Sequence, residues 1–206
     1  MQLYGFGQSR SFRVAWALEE CGLSYDYIAL GLRGQAAALS ADSDQYKRLN
    51  IQSKAPTLVD DDLVLIESAA ILNYLARKTP SANLIPSDNP LDSARYDQLC
   101  YFVMSELEQP LWSNGKHRFA LPEEHRIPAM LDTANFEFTK AVNALDNLLG
   151  DSKYAVGEKF TMADILIAHS FNWAIRFGFD VPQKFIELRD FHYQRPAAQK
   201  ALAVVE

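Results

Sequence analysis

Over the first 78 residues, short apolar runs alternate with stretches of helical period. Gln2–Phe6 reads as a strand. Arg10–Cys21 places Val14, Leu18 and Cys21 at i, i+4 and i+7, with Gly22 as a stop, and predicts a helix. Tyr25–Leu30 is a second strand, so the opening is a βαβ unit. Such crossovers are right-handed and set their two strands parallel in one sheet. Residues 31–50 are ambiguous, a loop with one irregular helix around Asp44–Leu49. Thr57–Val59 and Leu63–Ile66 flank the polar turn Asp60-Asp61-Asp62 and predict a hairpin. Ser68 then begins a helix whose inward face is Ile71, Leu72, Leu75 and Ala76.

Thr79–Pro90 carries three prolines among serine and asparagine and reads as a linker. Everything beyond it has helical period. Leu91–Trp112 is a long amphipathic helix that Pro110 is expected to kink or end. Pro128–Leu149 is a second, stopped by Gly150, and Thr161–Phe177 is a third, rich in apolar residues. Shorter helices are predicted near Gln183–Leu188 and Pro196–Val204. The pattern predicts an α/β domain at 1–78, a linker at 79–90 and an all-helical domain at 91–206.

Composition narrows the class of function. With 206 residues, 49 % hydrophobic and 22 % charged, the chain is long and apolar enough to bury its own core, which excludes disorder as its dominant state. A net charge of −6 argues against a nucleic-acid partner. Two cysteines, Cys21 and Cys100, are too few for a disulfide scaffold or a cysteine-built metal site, and no metal is expected. Met1 leads into Gln2-Leu3-Tyr4 with neither a basic nor an apolar leader, and no run of about 18 apolar residues follows. A cytoplasmic protein with no membrane partner is the expectation.

Two segments carry candidate chemistry. Ala55-Pro56 sits between a polar loop and a strand. It is either a strand-start proline or a cis peptide that turns the backbone N–H and C=O of Ala55 towards a ligand's main chain. Glu67-Ser68 opens a helix. Ser68 reads as a plain N-cap, or as half of a receptor for an α-amino-acid head group. In the second reading Glu67 offers a carboxylate to an ammonium, while the hydroxyl and the helix N–H groups of Ser68 face a carboxylate.

Five segments in register resemble the glutathione S-transferase family over nearly the whole chain. They are Tyr4 with Ser9-Arg10-Ser11-Phe12-Arg13-Val14, Lys54-Ala55-Pro56-Thr57-Leu58, Glu67-Ser68-Ala69-Ala70-Ile71-Leu72-Asn73-Tyr74-Leu75, Phe160-Thr161-Met162-Ala163-Asp164-Ile165, and Arg195-Pro196-Ala197. The resemblance is to bacterial-type members with a serine in the catalytic window. It implies a thioredoxin-like glutathione-binding domain followed by an all-helical domain that contributes the electrophile pocket. It also implies a cis Pro56, with Glu67 and Ser68 holding the γ-glutamyl end of glutathione and Ala55 pairing with its cysteinyl part. Lys54 would lie near the glycyl carboxylate, with Gln52 as a second candidate for that end. A detoxifying transferase of this kind uses glutathione as co-substrate with no permanently bound cofactor, takes a small hydrophobic electrophile, and forms a homodimer.

Such a reaction needs a thiolate. A free thiol has a pKa near 8.5, and each unit of depression needs about 1.4 kcal/mol of preference for the charged form. One charge-assisted hydrogen bond of roughly 1.5–3 kcal/mol supplies one to two units. Three hydroxyls compete for that role. Ser9 matches the serine of the serine-type classes, Ser11 lies two residues further into the helix start, and Tyr4 corresponds to a tyrosine of some bacterial members. Ser9 is also a natural N-cap, and cap and donor are compatible roles. Gly7-Gln8 lacks the proline that many serine-type members carry. No cysteine lies in the window Gly5–Arg13, which disfavours thiol transfer and dehydroascorbate-type reduction; Cys21 and Cys100 read as small buried hydrophobes.

In the helical part, Tyr101, Ser105, Glu108 and Trp112 recur at helical spacing and are expected on one face, bordering the electrophile pocket. Some bacterial members have Asn and His where this chain has Tyr101 and Glu108, and Glu108 would repel anionic substrates. Phe119 and Trp173 are further aromatic candidates for that pocket, with core packing the favoured reading. Thr161-x-x-Asp164, with Phe160 and Ile165 at N′ and N4, is a capping box with a hydrophobic staple, so Asp164 is structural rather than catalytic. The alternatives to a transferase are a non-catalytic glutathione-binding or protein-interaction member of the same fold, and a glutathione-dependent peroxidase or reductase.

Overall fold

The computed structural model describes residues 1–31, 38–86 and 89–206. Part of the ambiguous stretch and part of the linker, residues 32–37 and 87–88, fall outside that set. The order is β1 (Gln2–Gly5), α1 (Arg10–Glu20), β2 (Asp26–Gly31), β3 (Leu39–Ser40), α2 (Asp44–Lys47), β4 (Thr57–Asp60), β5 (Leu63–Leu65) and α3 (Ser68–Lys78). The helices α4 (Pro90–Phe102), α5 (Glu108–Gly115), α6 (Met130–Leu149), α7 (Met162–Phe177), α8 (Gln183–Tyr193) and α9 (Pro196–Val205) follow.

The strands form one sheet in the order β3-β2-β1-β4-β5. β1 and β2 are parallel, with Tyr4 opposite Ile28, as the βαβ reading requires. β4 runs antiparallel to β1, Tyr4 opposite Thr57, and β5 closes the hairpin with Leu58 opposite Leu65. The short strand β3 was not expected. It adds two residues, paired Leu30 with Leu39 and Gly31 with Ser40, too few to leave a periodic signal.

The chain divides into two compact units, Met1–Ile85 with His192–Glu206, and Pro86–Phe191. The expected boundaries put everything after residue 90 in the helical part. The difference lies in α9, which packs on α1 rather than among the other helices. Phe12 and Trp16 of α1 meet Tyr193 at centroid distances of 5.4 and 5.3 Å, and Arg195 forms a two-pronged pair with the Glu20 carboxylate, the Nη2 to Oε2 arm at 2.8 Å. Trp16 Nε1 donates to the same carboxylate at 2.9 Å. A periodic pattern shows that a helix has an apolar face but not which surface receives it.

In the second unit, α6 buries Ala134, Phe138, Ala141, Val142, Leu145 and Leu149, a stripe at spacings of three and four. Phe138 meets Phe179 edge to face at 4.9 Å, and Phe171 stacks on Phe185 at 4.5 Å. α7 is buried along nearly its whole length, which explains its apolar character on every face.

The capping box forms as expected. Asp164 Oδ2 accepts from Thr161 N at 2.7 Å and Thr161 Oγ1 at 3.0 Å, and Oδ1 accepts from Ala155 N at 2.7 Å. Pro110, in contrast, does not end its helix. A π-helical turn at Val103–Leu107 links α4 to α5 ahead of it, and a second at Lys116–Ala120 carries the helical path on to residue 120. Pro110 has no N–H to give Glu106, four residues back, and Glu106 lies in the π-helical turn, where α-type bonding is already interrupted. Among the described residues no helix is long and apolar enough to cross a membrane.

Candidate functional site

The first unit gathers its chemistry at three places, the start of α1, the loop before β4 and the start of α3. At the first, Gly7 takes φ +43°, which suits glycine, and Ser9 N closes the turn onto Phe6 O at 3.1 Å. Ser9 is the N-cap of α1, extended at φ −72° and ψ −165°, with its Oγ accepting from Ser11 N at 3.3 Å. Ser9 is half-buried. Ser11 is fully buried, and its Oγ accepts from Phe6 N at 3.0 Å while lying 3.0 Å from Ser9 Oγ. Ser11 therefore ties the turn together from below, and Ser9 is the more accessible hydroxyl.

Gly5 makes this closeness possible. A Cβ there would lie 2.6 Å from the Tyr27 ring and 2.8 Å from Ser11 Cβ, so any side chain would push Ser11 away from the turn. Tyr4 lies apart from the hydroxyl pair in its bonding: its OH donates to Gln2 Oε1 at 3.2 Å, and its ring packs 5.8 Å from Tyr46, beside Leu30, Ala41 and Leu49.

At the second place, Ala55–Pro56 is a cis peptide, and Pro56 directly precedes β4. Pro56 is buried, Ala55 half-buried, and Gln52 and Lys54 are exposed. Two residues that sequence reasoning did not single out hold this loop. Asn50 Nδ2 donates to Lys54 O at 2.8 Å and Thr57 Oγ1 at 3.1 Å, while Asn50 Oδ1 accepts from Gln52 N at 3.0 Å. Tyr46 OH donates to Lys54 O and lies 2.8 Å from Thr57 Oγ1. Both side chains are buried, and burial pushes the Tyr46 phenol up, so it remains a neutral donor. Their only sequence signal was a polar residue and a tyrosine within an irregular stretch.

Asn50→Ala removes two donors and one acceptor from this buried network. A stability loss of about 2–3 kcal/mol is expected, since unsatisfied buried groups cost roughly 1–3 kcal/mol each. Thermal unfolding checks it, and a loss below about 1 kcal/mol would mean that Tyr46 alone suffices to hold Lys54 O.

At the third place the sequence reading needs one correction. Ser68 is not the N-cap of α3 but its first helical residue. The cap position belongs to Glu67, whose side chain makes no capping bond and whose backbone sits at φ +67° and ψ 105°. A non-glycine residue held at positive φ is strained, and such strain collects at binding sites. The twist leaves the Glu67 side chain exposed and the Ser68 side chain buried, with Ser68 Oγ accepting from Arg13 Nη1 at 3.4 Å. Arg13 is the other functional candidate that sequence reasoning passed over; it was read only as part of a motif.

In the second unit, the shared face expected for Tyr101, Ser105, Glu108 and Trp112 does not form. Tyr101 is 72 % exposed and Ser105 is exposed, whereas Glu108 is 1 % exposed and Trp112 half-buried. The π-helical turn at Val103–Leu107 lies between the two pairs. Its extra residue breaks the 3.6 period on which the alignment depended. Phe119 is 56 % exposed, with its ring 5.8 Å from that of Phe177, and Trp173 packs 5.6 Å from Phe177. Cys21 and Cys100 are buried, as expected. Burial pushes both thiols up, Cys100 to about 12, so neither is a nucleophile.

The sequence matches two family descriptions, the glutathione S-transferase N-terminal domain over residues 1–77 and the glutathione S-transferase C-terminal domain over residues 109–199. It is 35 % identical to a glutathione S-transferase of Triticum aestivum over 208 residues, covering 97 % of this chain and 92 % of that one. It is 30 % identical to the maleylacetoacetate isomerase of Rattus norvegicus over 178 residues, covering 85 % and 78 %. Among solved structures, the theta class glutathione S-transferase of Xanthomonas axonopodis pv. citri with glutathione bound is similar with a TM-score of 0.80 and 27 % identity, covering 98 % of this chain and 96 % of that chain. Motifs, fold and relatives agree: this chain belongs to the glutathione S-transferase family.

Proposed function

We propose that Ser9 is the group that activates glutathione in this glutathione transferase. Ser9 hydrogen-bonds the sulfur, holds it as a thiolate at the N-terminus of α1, and so readies it for attack on a hydrophobic electrophile. The observation that carries this reading is the hydroxyl pair: Ser11 Oγ accepts from Phe6 N and lies 3.0 Å from Ser9 Oγ. When Ser11 gives its proton to Ser9, the Ser9 proton is directed to the sulfur. The helix start adds a favourable field for an anion. Tyr4 is a weaker candidate because its hydroxyl is engaged by Gln2.

Glutathione in this reading lies along residues 52–68. Ala55 pairs with its cysteinyl backbone beside the cis Pro56, Glu67 takes the γ-glutamyl ammonium, and Ser68 takes the carboxylate. Lys54 and Gln52 serve the glycyl end. The electrophile is taken by the helical part, with Tyr101, Ser105 and Trp112 as candidate contacts; Glu108, 1 % exposed, offers no surface and acts at most from behind them. The protein acts as a cytoplasmic homodimer. The likeness to a maleylacetoacetate isomerase favours a second reaction at the same thiolate, reversible addition to a double bond that isomerises the substrate and returns glutathione unconsumed.

An ultraviolet titration of glutathione against the protein from about pH 5 to 9 tests the core of the reading. A bound thiolate appearing about one to two units below the free thiol's pKa is the expected result. Because that pKa is lowered, the thiolate persists as pH falls until the lowered value is crossed, and activity fades below it. A saturated complex with no thiolate at neutral pH would sink the proposal.

A further inference from the structure

We propose that Arg13 is a positioning residue that fixes which end of an amino-acid head group the start of α3 accepts. The inference rests on the glutathione reading above. Arginine is seldom fully buried, yet Arg13 has no exposed surface. From the first turns of α1 it reaches 55 positions along the chain to place Nη1 3.4 Å from Ser68 Oγ.

The direction of that bond decides the chemistry. A guanidinium has donors and no acceptor, whereas a serine hydroxyl has one proton and two lone pairs. Ser68 therefore accepts from Arg13, and its own proton is turned away from the guanidinium. Around Ser68 the first N–H groups of α3 are donors as well. This corner of the fold is thus made of donors with a fixed positive charge behind them, and it selects a carboxylate while rejecting an ammonium. Glu67, whose strained backbone leaves its carboxylate exposed next door, is the complementary partner for the ammonium. Without Arg13 the Ser68 hydroxyl is free to rotate, and the corner loses its preference for an anion.

The test is calorimetric titration of the full chain with glutathione and with an analogue whose γ-glutamyl α-carboxylate is replaced by hydrogen. Wild type, Arg13→Lys, Ser68→Ala and the double variant are compared. Each single change is expected to weaken glutathione binding by about tenfold, the scale of one hydrogen bond to a charged group. The double variant should be no weaker than the weaker single one, because Arg13 acts on the ligand's carboxylate through Ser68. All four proteins should bind the analogue within about threefold of one another, a pattern that general loss of structure would not produce.

Additive losses, or equal losses for both ligands, would overturn the role of Arg13 while leaving glutathione binding intact. Failure of the wild type to bind glutathione would sink the functional reading itself. If Arg13→Lys does not fold, the guanidinium proton resonances of Arg13 in the wild type decide instead. They are expected to move on adding glutathione and to stay in place with the analogue; no movement with glutathione overturns the inference.

Discussion

Asp164→Ala is expected to lower stability by about 3–5 kcal/mol, an effect on the scale of truncating a large buried side chain. The Asp164 carboxylate is 2 % exposed and accepts three hydrogen bonds, two from backbone N–H groups of Ala155 and Thr161 and one from the Thr161 hydroxyl. Alanine leaves two buried donors, Thr161 N and Thr161 Oγ1, and the half-buried Ala155 N without their acceptor, at roughly 1–3 kcal/mol for each buried one. It also unpins the start of α7, most of whose residues lie in the core of the second unit. A fall in thermal midpoint of about 10 °C corresponds to that loss for a chain of this size. Asp164→Asn should fall between the two, since it keeps one acceptor and points an amide donor at a donor. A change of less than about 1 kcal/mol on alanine substitution would show that the box is decorative. At temperatures where the variant is folded its turnover should match wild type, as befits a structural acid.

Ser9→Ala is expected to cut kcat/KM at neutral pH by about 10- to 100-fold, as the bound thiol's pKa rises by about one to two units. The same change also removes an N-cap, at a cost of about 0.5–2 kcal/mol, so lost activity alone would not separate the two roles. Ser9→Asp separates them. Aspartate is a good cap that can accept from Ser11 N, so stability is retained. It offers no proton to sulfur and sets a negative charge beside it, so the thiol pKa should rise at least as far as in Ser9→Ala. Ultraviolet titration of bound glutathione and a thermal melt on each variant read the two effects independently. A thiolate of unchanged pKa in both variants would move the role to another group, Ser11 first.

The places where reading and structure part company share a cause. Helix existence was legible throughout, because an apolar stripe such as Ala134, Phe138, Ala141, Val142 and Leu145 repeats at three and four wherever a helix lies on a core. The turn between β4 and β5 was legible from three consecutive aspartates. The face of Tyr101, Ser105, Glu108 and Trp112 was not, since a π-helical turn leaves no local mark and shifts every residue after it. Ser68 as N-cap failed for a related reason: a short polar residue before an apolar run is the usual signal, and Glu67 takes the cap position through a backbone twist that glutamate rarely adopts.

The sequence by itself carried the family through the resemblance of five segments in register, and its local chemistry determined the α/β-then-helical order, the position of Ser9 at the start of α1, and the Thr161-Asp164 box. The last three depend on residues within a few positions of one another, where period, capping and turn rules act. Only the tertiary structure decided the rest. It placed α9 against α1 through Arg195 and Glu20, 175 positions apart. It set Asn50 and Tyr46 under the cis-proline loop, and carried the buried charge of Arg13 to Ser68. Two of these are meetings of polar groups distant in the chain and the third folds an irregular loop onto its own backbone; each is made favourable by burial and by a partner that no local pattern names.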